Sequence, residues 1–211
     1  MNDVIKKIEE TKIIPVVVIE DVKYAERLAD ALCDGGIKCA EVTFRTDSAK
    51  EAIKVMTKTH PDMFVGAGTV TTKKQVDDAI DAGASYIVSP GLNPDIVEYC
   101  QQKGITIIPG VMTPSEVELA LGLGLEVVKF FPAEAAGGLK MIKAISAPYS
   151  NVRFIPTGGI NTTNVGEYLS FPKVIACGGS WMVSKDLING EKFEDIKMIT
   201  AAAAKRAEEL K

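Results

Sequence analysis

Lys129 stands in the run Glu126-Val127-Val128-Lys129-Phe130-Phe131-Pro132 and is the one lysine flanked on both sides by strand-like apolar residues. Side chains alternate across a strand, so Val127, Lys129 and Phe131 share one face. A desolvated lysine with a cation nearby gives up its proton more readily than a solvated one. The neutral amine can then add to a ketone and form a Schiff base. A solvated lysine lying along apolar surface is the bland alternative; the alternation, which turns Lys129 inward, argues against it.

A second polar set lies in Glu41-Val42-Thr43-Phe44-Arg45. Here Glu41, Thr43 and Arg45 share one face, while Val42 and Phe44 take the other. An acid, a hydroxyl and a guanidinium then point together toward the interior. A buried Glu41–Arg45 pair serving structure alone is possible, but buried ion pairs are costly and seldom needed for stability. Function is the better reading.

Late in the chain, Gly158-Gly159 and Gly178-Gly179-Ser180 each follow a β-rich run. Glycine lets a ligand approach the backbone closely. Exposed N–H groups there suit a phosphate, and Ser180 adds a hydroxyl. The net charge of −4 argues against nucleic acid or an anionic membrane as partner. A local anion site needs only backbone N–H groups, so it remains open. Thr69 and Pro90 also end β-rich runs, and turn chemistry alone would account for the proline.

Other chemistries are poorly supplied. The single histidine, His60, lies in the polar turn Lys58-Thr59-His60-Pro61-Asp62 and reads as an exposed loop residue. A catalytic zinc would need a histidine or Cys/His set, and a Ser-His-Asp hydrolase its own histidine. No metal or cofactor is expected, and acid–base work falls to Glu, Asp, Lys or Tyr. Cys33, Cys39, Cys100 and Cys177 form no CxxC pair and read as reduced, mostly buried thiols. The early apolar run Ile13–Ile19 is too short to span a membrane, and nothing before it resembles a signal peptide. A cytoplasmic location is expected.

These side chains need a scaffold that brings distant strands together. Eight β-rich runs, bounded by Gly, Pro, Asn or Ser, are Ile13–Ile19, Cys39–Phe44, Phe64–Thr69, Tyr86–Ser89, Thr106–Pro109, Glu126–Phe131, Val152–Ile155 and Val174–Cys177. Helical periodicity lies between them at Tyr24–Cys33, Lys73–Ala82, Pro94–Lys103, Pro114–Leu123 and Asn161–Leu169. Thr71, Asn93, Thr113 and Asn161 read as helix caps, with a Thr113–Glu116 capping box around Pro114. Gly35-Gly36, Gly83, Gly104 and Gly124 read as helix stops. Eight strand–helix units predict one domain over residues 1–211, an α/β fold of the closed (β/α)8 TIM-barrel type. An open doubly wound sheet is less favoured, because no Gly-x-Gly-x-x-Gly follows the first strand. Val4–Ile8 is expected to cap the bottom and Phe193–Leu210 to pack outside. The site belongs at the C-terminal ends of the strands.

Taken together, Glu41-Val42-Thr43-Phe44-Arg45-Thr46, Gly66-Ala67-Gly68-Thr69-Val70, Ser89-Pro90-Gly91-Leu92, Pro109-Gly110-Val111-Met112-Thr113, Lys129-Phe130-Phe131-Pro132-Ala133-Glu134, Pro156-Thr157-Gly158-Gly159-Ile160 and Gly178-Gly179-Ser180-Trp181 resemble the bacterial 2-keto-3-deoxy-6-phosphogluconate (KDPG) aldolase family. The resemblance runs from about Ile13 to Trp181. It implies cleavage of KDPG to pyruvate and glyceraldehyde 3-phosphate, and action on 4-hydroxy-2-oxoglutarate as well. It also implies roles. Lys129 looks like the Schiff-base lysine and Glu41 like the general acid/base. Arg45 and Thr69 resemble a grip on the pyruvate carboxylate. Pro90 and Phe131 look like apolar walls, and Thr157 like a contact for the substrate hydroxyl region. Gly158, Gly159, Gly179 and Ser180 resemble the phosphate cradle. A homotrimer is implied too. Val18 stands where some relatives carry an arginine, which bears on substrate range. Two other readings compete: a phosphosugar isomerase or synthase that would not need Lys129, and a non-catalytic barrel serving as a scaffold.

Overall fold

The computed structural model describes residues 3–209. Strands and helices alternate along them: α1 (Asp3–Thr11), β1 (Ile13–Val17), α2 (Ala25–Asp34), β2 (Cys39–Thr43), α3 (Ala49–Thr59), β3 (Phe64–Gly68), α4 (Lys73–Asp81), β4 (Tyr86–Val88), α5 (Pro94–Gln102), β5 (Thr106–Ile108), β6 (Gly110–Val111), α6 (Pro114–Gly122), β7 (Val127–Phe130), α7 (Gly138–Ser146), β8 (Arg153–Pro156), α8 (Val165–Leu169), β9 (Cys177–Gly179), α9 (Lys185–Asn189) and α10 (Phe193–Glu208). The expected end of the last helix at Leu210 lies outside the described residues.

The closed eight-stranded TIM barrel is not what forms. A six-stranded parallel sheet in the order β5-β4-β3-β2-β1-β9 stands beside a three-stranded parallel sheet, β6-β7-β8. Two seams separate them. At the first, Pro109, the last residue of the expected fifth strand, separates β5 from an unforeseen short strand, β6. Proline has no N–H to give a ladder, so β5 pairs with β4 while β6 crosses to β7. At the second, β8 meets the following segment only through the isolated bridges Phe154↔Val174 and Thr157↔Gly178. The expected last strand, Val174–Cys177, is also displaced. Hydropathy marks the buried Val174, Ile175 and Ala176, but the backbone that pairs with Ile13–Pro15 is Cys177–Gly179. Gly178 and Gly179 therefore lie within a strand and not in the loop after one.

Local signals in the sequence account for most helix ends. Thr113 and Glu116 form the capping box, with Pro114 in the first turn. Asn93 caps α5. The cap of α4 is Thr72, one residue beyond Thr71, in a box with Gln75. Asn161 instead holds the turn ahead of α8, accepting from Thr163 N–H, and α8 begins only at Val165. Gly36, Gly83, Gly104 and Gly124 take the left-handed backbone that ends a helix. The helices α3, α7 and α9 were not among the expected stretches. His60 is less exposed than its turn suggests; its ring bonds Asp30 Oδ1 at 2.9 Å and Thr59 Oγ1 at 2.9 Å.

Cys39, Cys100 and Cys177 are buried and Cys33 is half-buried, and all four are unpaired. Burial pushes the thiols of Cys39 and Cys100 up to about 12 and that of Cys177 higher still. Among the described residues no helix is long and apolar enough to cross a membrane.

Two outcomes are expected. Thr113→Ala, which removes one half of the box, should lower unfolding free energy by about 1 kcal/mol in urea; an unchanged midpoint would count against that cap. In native protein at pH 8 a thiol reagent should label Cys33 alone, and slowly. Labelling of Cys39, Cys100 and Cys177 should require denaturant, read by peptide mass.

Candidate active site

Lys129 and Glu41 come from strands of different sheets, yet they meet. Lys129 Nζ lies 3.3 Å from Glu41 Oε1, and each residue is 3% exposed. The six-stranded sheet curls far enough for β2 to face β7. Lys129 is held in register between Gly110 of β6 and Ile155 of β8, which fixes its inward direction. The Phe131 ring sits with its centroid 5.2 Å from Lys129 Nζ. A cation over an aromatic face is attracted to the ring, so the amine has an acid on one side and an apolar wall on another.

Two glycines make room for this pair. A Cβ on Gly68 would lie 2.3 Å from Glu41 Oε1, and one on Gly66 would lie within 2.5 Å of the Tyr86 ring. Neither was singled out from sequence. The signal was present, since Gly66 and Gly68 fall two apart on one strand and register with Glu41 and Thr43. Two absent side chains on the face opposite a buried carboxylate mark the space it needs.

Arg45 does not pair with Glu41. Its Nε donates to Thr69 Oγ1 at 3.2 Å, and the guanidinium is exposed at the end of β2. Thr69 has a positive φ of 57°, a strained backbone for a β-branched residue. Thr43 faces inward as expected, but its hydroxyl is consumed by the Val17 carbonyl at 2.8 Å.

Beyond Phe131 opens a cavity of about 330 Å³ at the C-terminal ends of the strands. Arg45, Phe131, Thr157, Gly158, Gly159, Gly179 and Ser180, all singled out from sequence, line it. Val18 lines it too. Pro90 and Thr69 do not; Thr69 reaches it through Arg45, and Pro90 presents its carbonyl to Gly110, where a Cβ would lie 2.1 Å away. Ser184 and Lys185 complete the wall and were missed, because nothing in their local pattern marks them.

The backbone at Gly158-Gly159 turns its carbonyls toward partners within the protein. Both residues have positive φ, 102° and 82°. The carbonyl of Thr157 accepts from Ala133 N–H, that of Gly158 from Glu134 N–H, and that of Gly159 from the Asn161 and Asn164 amides. With the carbonyls held away, no described acceptor takes the N–H of Gly159 or Ile160. Below them the Tyr168 hydroxyl donates to Glu134, and Gly159 packs on the Glu134 side chain. Thr157 Oγ1 is buried without a hydrogen-bond partner. An unpaired buried hydroxyl is uncommon; among the described residues Trp181 Nε1 and Thr200 Oγ1 share that state.

Comparison with known proteins follows the same outline. The family model for KDPG and KHG aldolases matches residues 4–199. The 2-dehydro-3-deoxy-phosphogluconate aldolase of Haemophilus influenzae is 46% identical over 195 residues, 92% of each chain. The structure of the KDPG aldolase from Legionella pneumophila, with pyruvate captured as a covalent carbinolamine intermediate, has a TM-score of 0.88 and 44% identity; the match covers 90% of this chain and 93% of that one. The Zymomonas mobilis enzyme, solved with 3-phosphoglycerate, has a TM-score of 0.88 and 41% identity, covering 98% and 96%. A family model matching residues 4–199 and relatives above 40% identical over most of the chain show that this chain belongs to the KDPG and KHG aldolase family.

Proposed function

We propose that this aldolase cleaves 2-keto-3-deoxy-6-phosphogluconate to pyruvate and glyceraldehyde 3-phosphate through an imine on Lys129. It also takes 4-hydroxy-2-oxoglutarate, giving pyruvate and glyoxylate. The observation that carries this reading is the buried 3.3 Å contact between Lys129 Nζ and Glu41 Oε1. A carboxylate at that distance can take the ammonium proton, which leaves a free amine to attack C2 of the ketoacid. Glu41 gives that proton to the carbinolamine hydroxyl, which leaves as water, so that a protonated imine forms and the carboxylate is restored. Glu41, directly or through a water, then removes the C4 hydroxyl proton. The C3–C4 bonding pair moves into the imine, the aldehyde leaves, and an enamine remains. Glu41 returns a proton to C3, and water releases pyruvate and restores the amine. The imine withdraws the electrons that a Lewis acid would otherwise have to withdraw.

In this reading Arg45 and Thr69 grip the carboxylate, as a planar guanidinium beside a hydroxyl suits a carboxylate. Phe131 shields the imine. Pro90 is assigned to the same apolar wall on the family resemblance alone. Thr157 offers its unpaired hydroxyl to the substrate hydroxyls. Gly158, Gly159, Gly179 and Ser180 hold the phosphate. The covalent pyruvate adduct of the Legionella relative supports the Lys129 chemistry, and the 3-phosphoglycerate of the Zymomonas relative supports a phosphorylated ligand. We further propose that residues 1–211 act as one domain in a cytoplasmic homotrimer. The four unpaired cysteines support that compartment. The exposed Met112 and Leu119 support a covered surface.

Borohydride reduction in the presence of pyruvate should add a three-carbon acid to the peptide bearing Lys129, and to no other. Lys129→Ala should abolish the adduct and lower turnover by at least roughly 10³-fold. Glu41→Gln should still bind pyruvate but turn over about 10²- to 10⁴-fold more slowly. An adduct elsewhere, or wild-type protein that releases no pyruvate from KDPG, would overturn the assignment.

A further inference from the structure

Two cationic side chains line the cavity. Arg45, bonded to Thr69, belongs to the end nearer β2. The other is Lys185, in the first turn of α9, which follows the Gly179-Ser180 wall. Its ammonium rests 2.7 Å from Glu20 Oε1, while Glu20 Oε2 accepts from Asn189 at 2.9 Å. These two partners hold the Glu20 carboxyl below the usual carboxylate range.

The bridge is poorly sheltered. The Lys185 and Glu20 side chains are 54% and 47% exposed, so solvent and salt screen the pair and little is lost when it opens. A phosphate monoester carries close to two negative charges at neutral pH. The N–H groups of Gly159 and Ile160, which no described acceptor takes, and the Ser180 hydroxyl bring dipoles but no net charge. With Arg45 committed to the carboxylate end, Lys185 is the remaining cation on the wall.

We propose that Lys185 is a specificity-determining residue for the phosphate end of the substrate, and that Glu20 is its resident competitor. In the empty site Glu20 holds the ammonium at the rim. A phosphate dianion, with more charge and three acceptor oxygens, draws it inward. An unphosphorylated ketoacid does not reach the rim, so it leaves the Lys185–Glu20 pair closed. This inference rests on the aldolase reading above, but its central test needs no catalysis.

Trp181 is the single tryptophan, and its ring packs against Gly179 in the cavity wall. Binding of inorganic phosphate can be followed by Trp181 fluorescence or by calorimetry. Lys185→Ala should weaken it about 5- to 30-fold, Lys185→Arg should largely retain it, and Glu20→Gln should tighten it severalfold. In turnover, Lys185→Ala should raise KM for KDPG by a similar factor with kcat within about twofold. KM for 4-hydroxy-2-oxoglutarate should not move. The opposite signs expected of Lys185→Ala and Glu20→Gln separate this role from a structural latch. Were the bridge only a latch between loops, both variants would weaken both ligands alike, and that result would overturn the proposal, as would unchanged phosphate binding in Lys185→Ala. Wild-type protein that binds phosphate normally yet releases no pyruvate would instead sink the aldolase reading and leave the phosphate result to stand on its own.

Discussion

The arrangement depends on one buried contact, the approach of the Lys129 amine to the Glu41 carboxylate. Two ionisable groups in an apolar interior are tolerated only as partners, since removing either strands the other. The contact also joins the two sheets, with β2 supplying the acid and β7 the amine. Any change in curl that separated these strands would leave both groups unpaired. The small residues of β3 belong to the same constraint. Gly66 admits the Tyr86 ring and Gly68 admits the Glu41 carboxyl, so the acid is packed in place before any substrate arrives. Groups held this way lose little freedom when a ligand binds, which is the physical content of preorganisation.

The cavity beyond Phe131 follows another logic. There the carbonyls are bonded within the protein, while no described acceptor takes the N–H of Gly159 or Ile160. Ala133 and Glu134 N–H groups and two asparagine amides hold the oxygens of Thr157, Gly158 and Gly159. The Tyr168–Glu134 bond lies beneath them, and burial together with the Glu134 carboxylate pushes the Tyr168 hydroxyl well above its ordinary range, so it stays a donor. An acidic chain can therefore carry an anion site, because the attraction is local and dipolar and does not come from net charge.

Much of the site was legible because strand alternation is a strict geometric rule. Once Val127 and Phe131 were placed on a face, Lys129 had to share it, and the same held for Glu41 with Thr43. The Arg45–Thr69 pairing was less legible as physics, since the residues lie 24 positions apart and only the family resemblance linked them. The Glu41–Arg45 pair considered from sequence did not form. Arg45 stands past the end of β2, where the chain has left the ladder and alternation no longer governs direction. Ser184, Lys185 and Glu20 were illegible for a related reason. Each is an ordinary polar loop or helix residue in its own neighbourhood, and only the closing of β9 against β1 brings Ser184 and Lys185 to the cavity wall and Glu20 to Lys185.

The fold divides in the same way. By itself the sequence determined the alternation of strands and helices, the caps at Asn93 and Thr113, the glycine helix stops, and the face on which Glu41, Thr43 and Lys129 lie. These depend on contacts a few residues apart and on backbone preferences carried by single Thr, Asn, Pro and Gly residues. Tertiary structure alone decided which strands pair, that Pro109 hands the chain from one sheet to the other, that the last strand is Cys177–Gly179, and that Lys129 finds Glu41 and not Arg45. Ladder pairing is a competition among distant backbone segments for the same hydrogen-bond partners, and hydropathy read along the chain contains no record of who wins it.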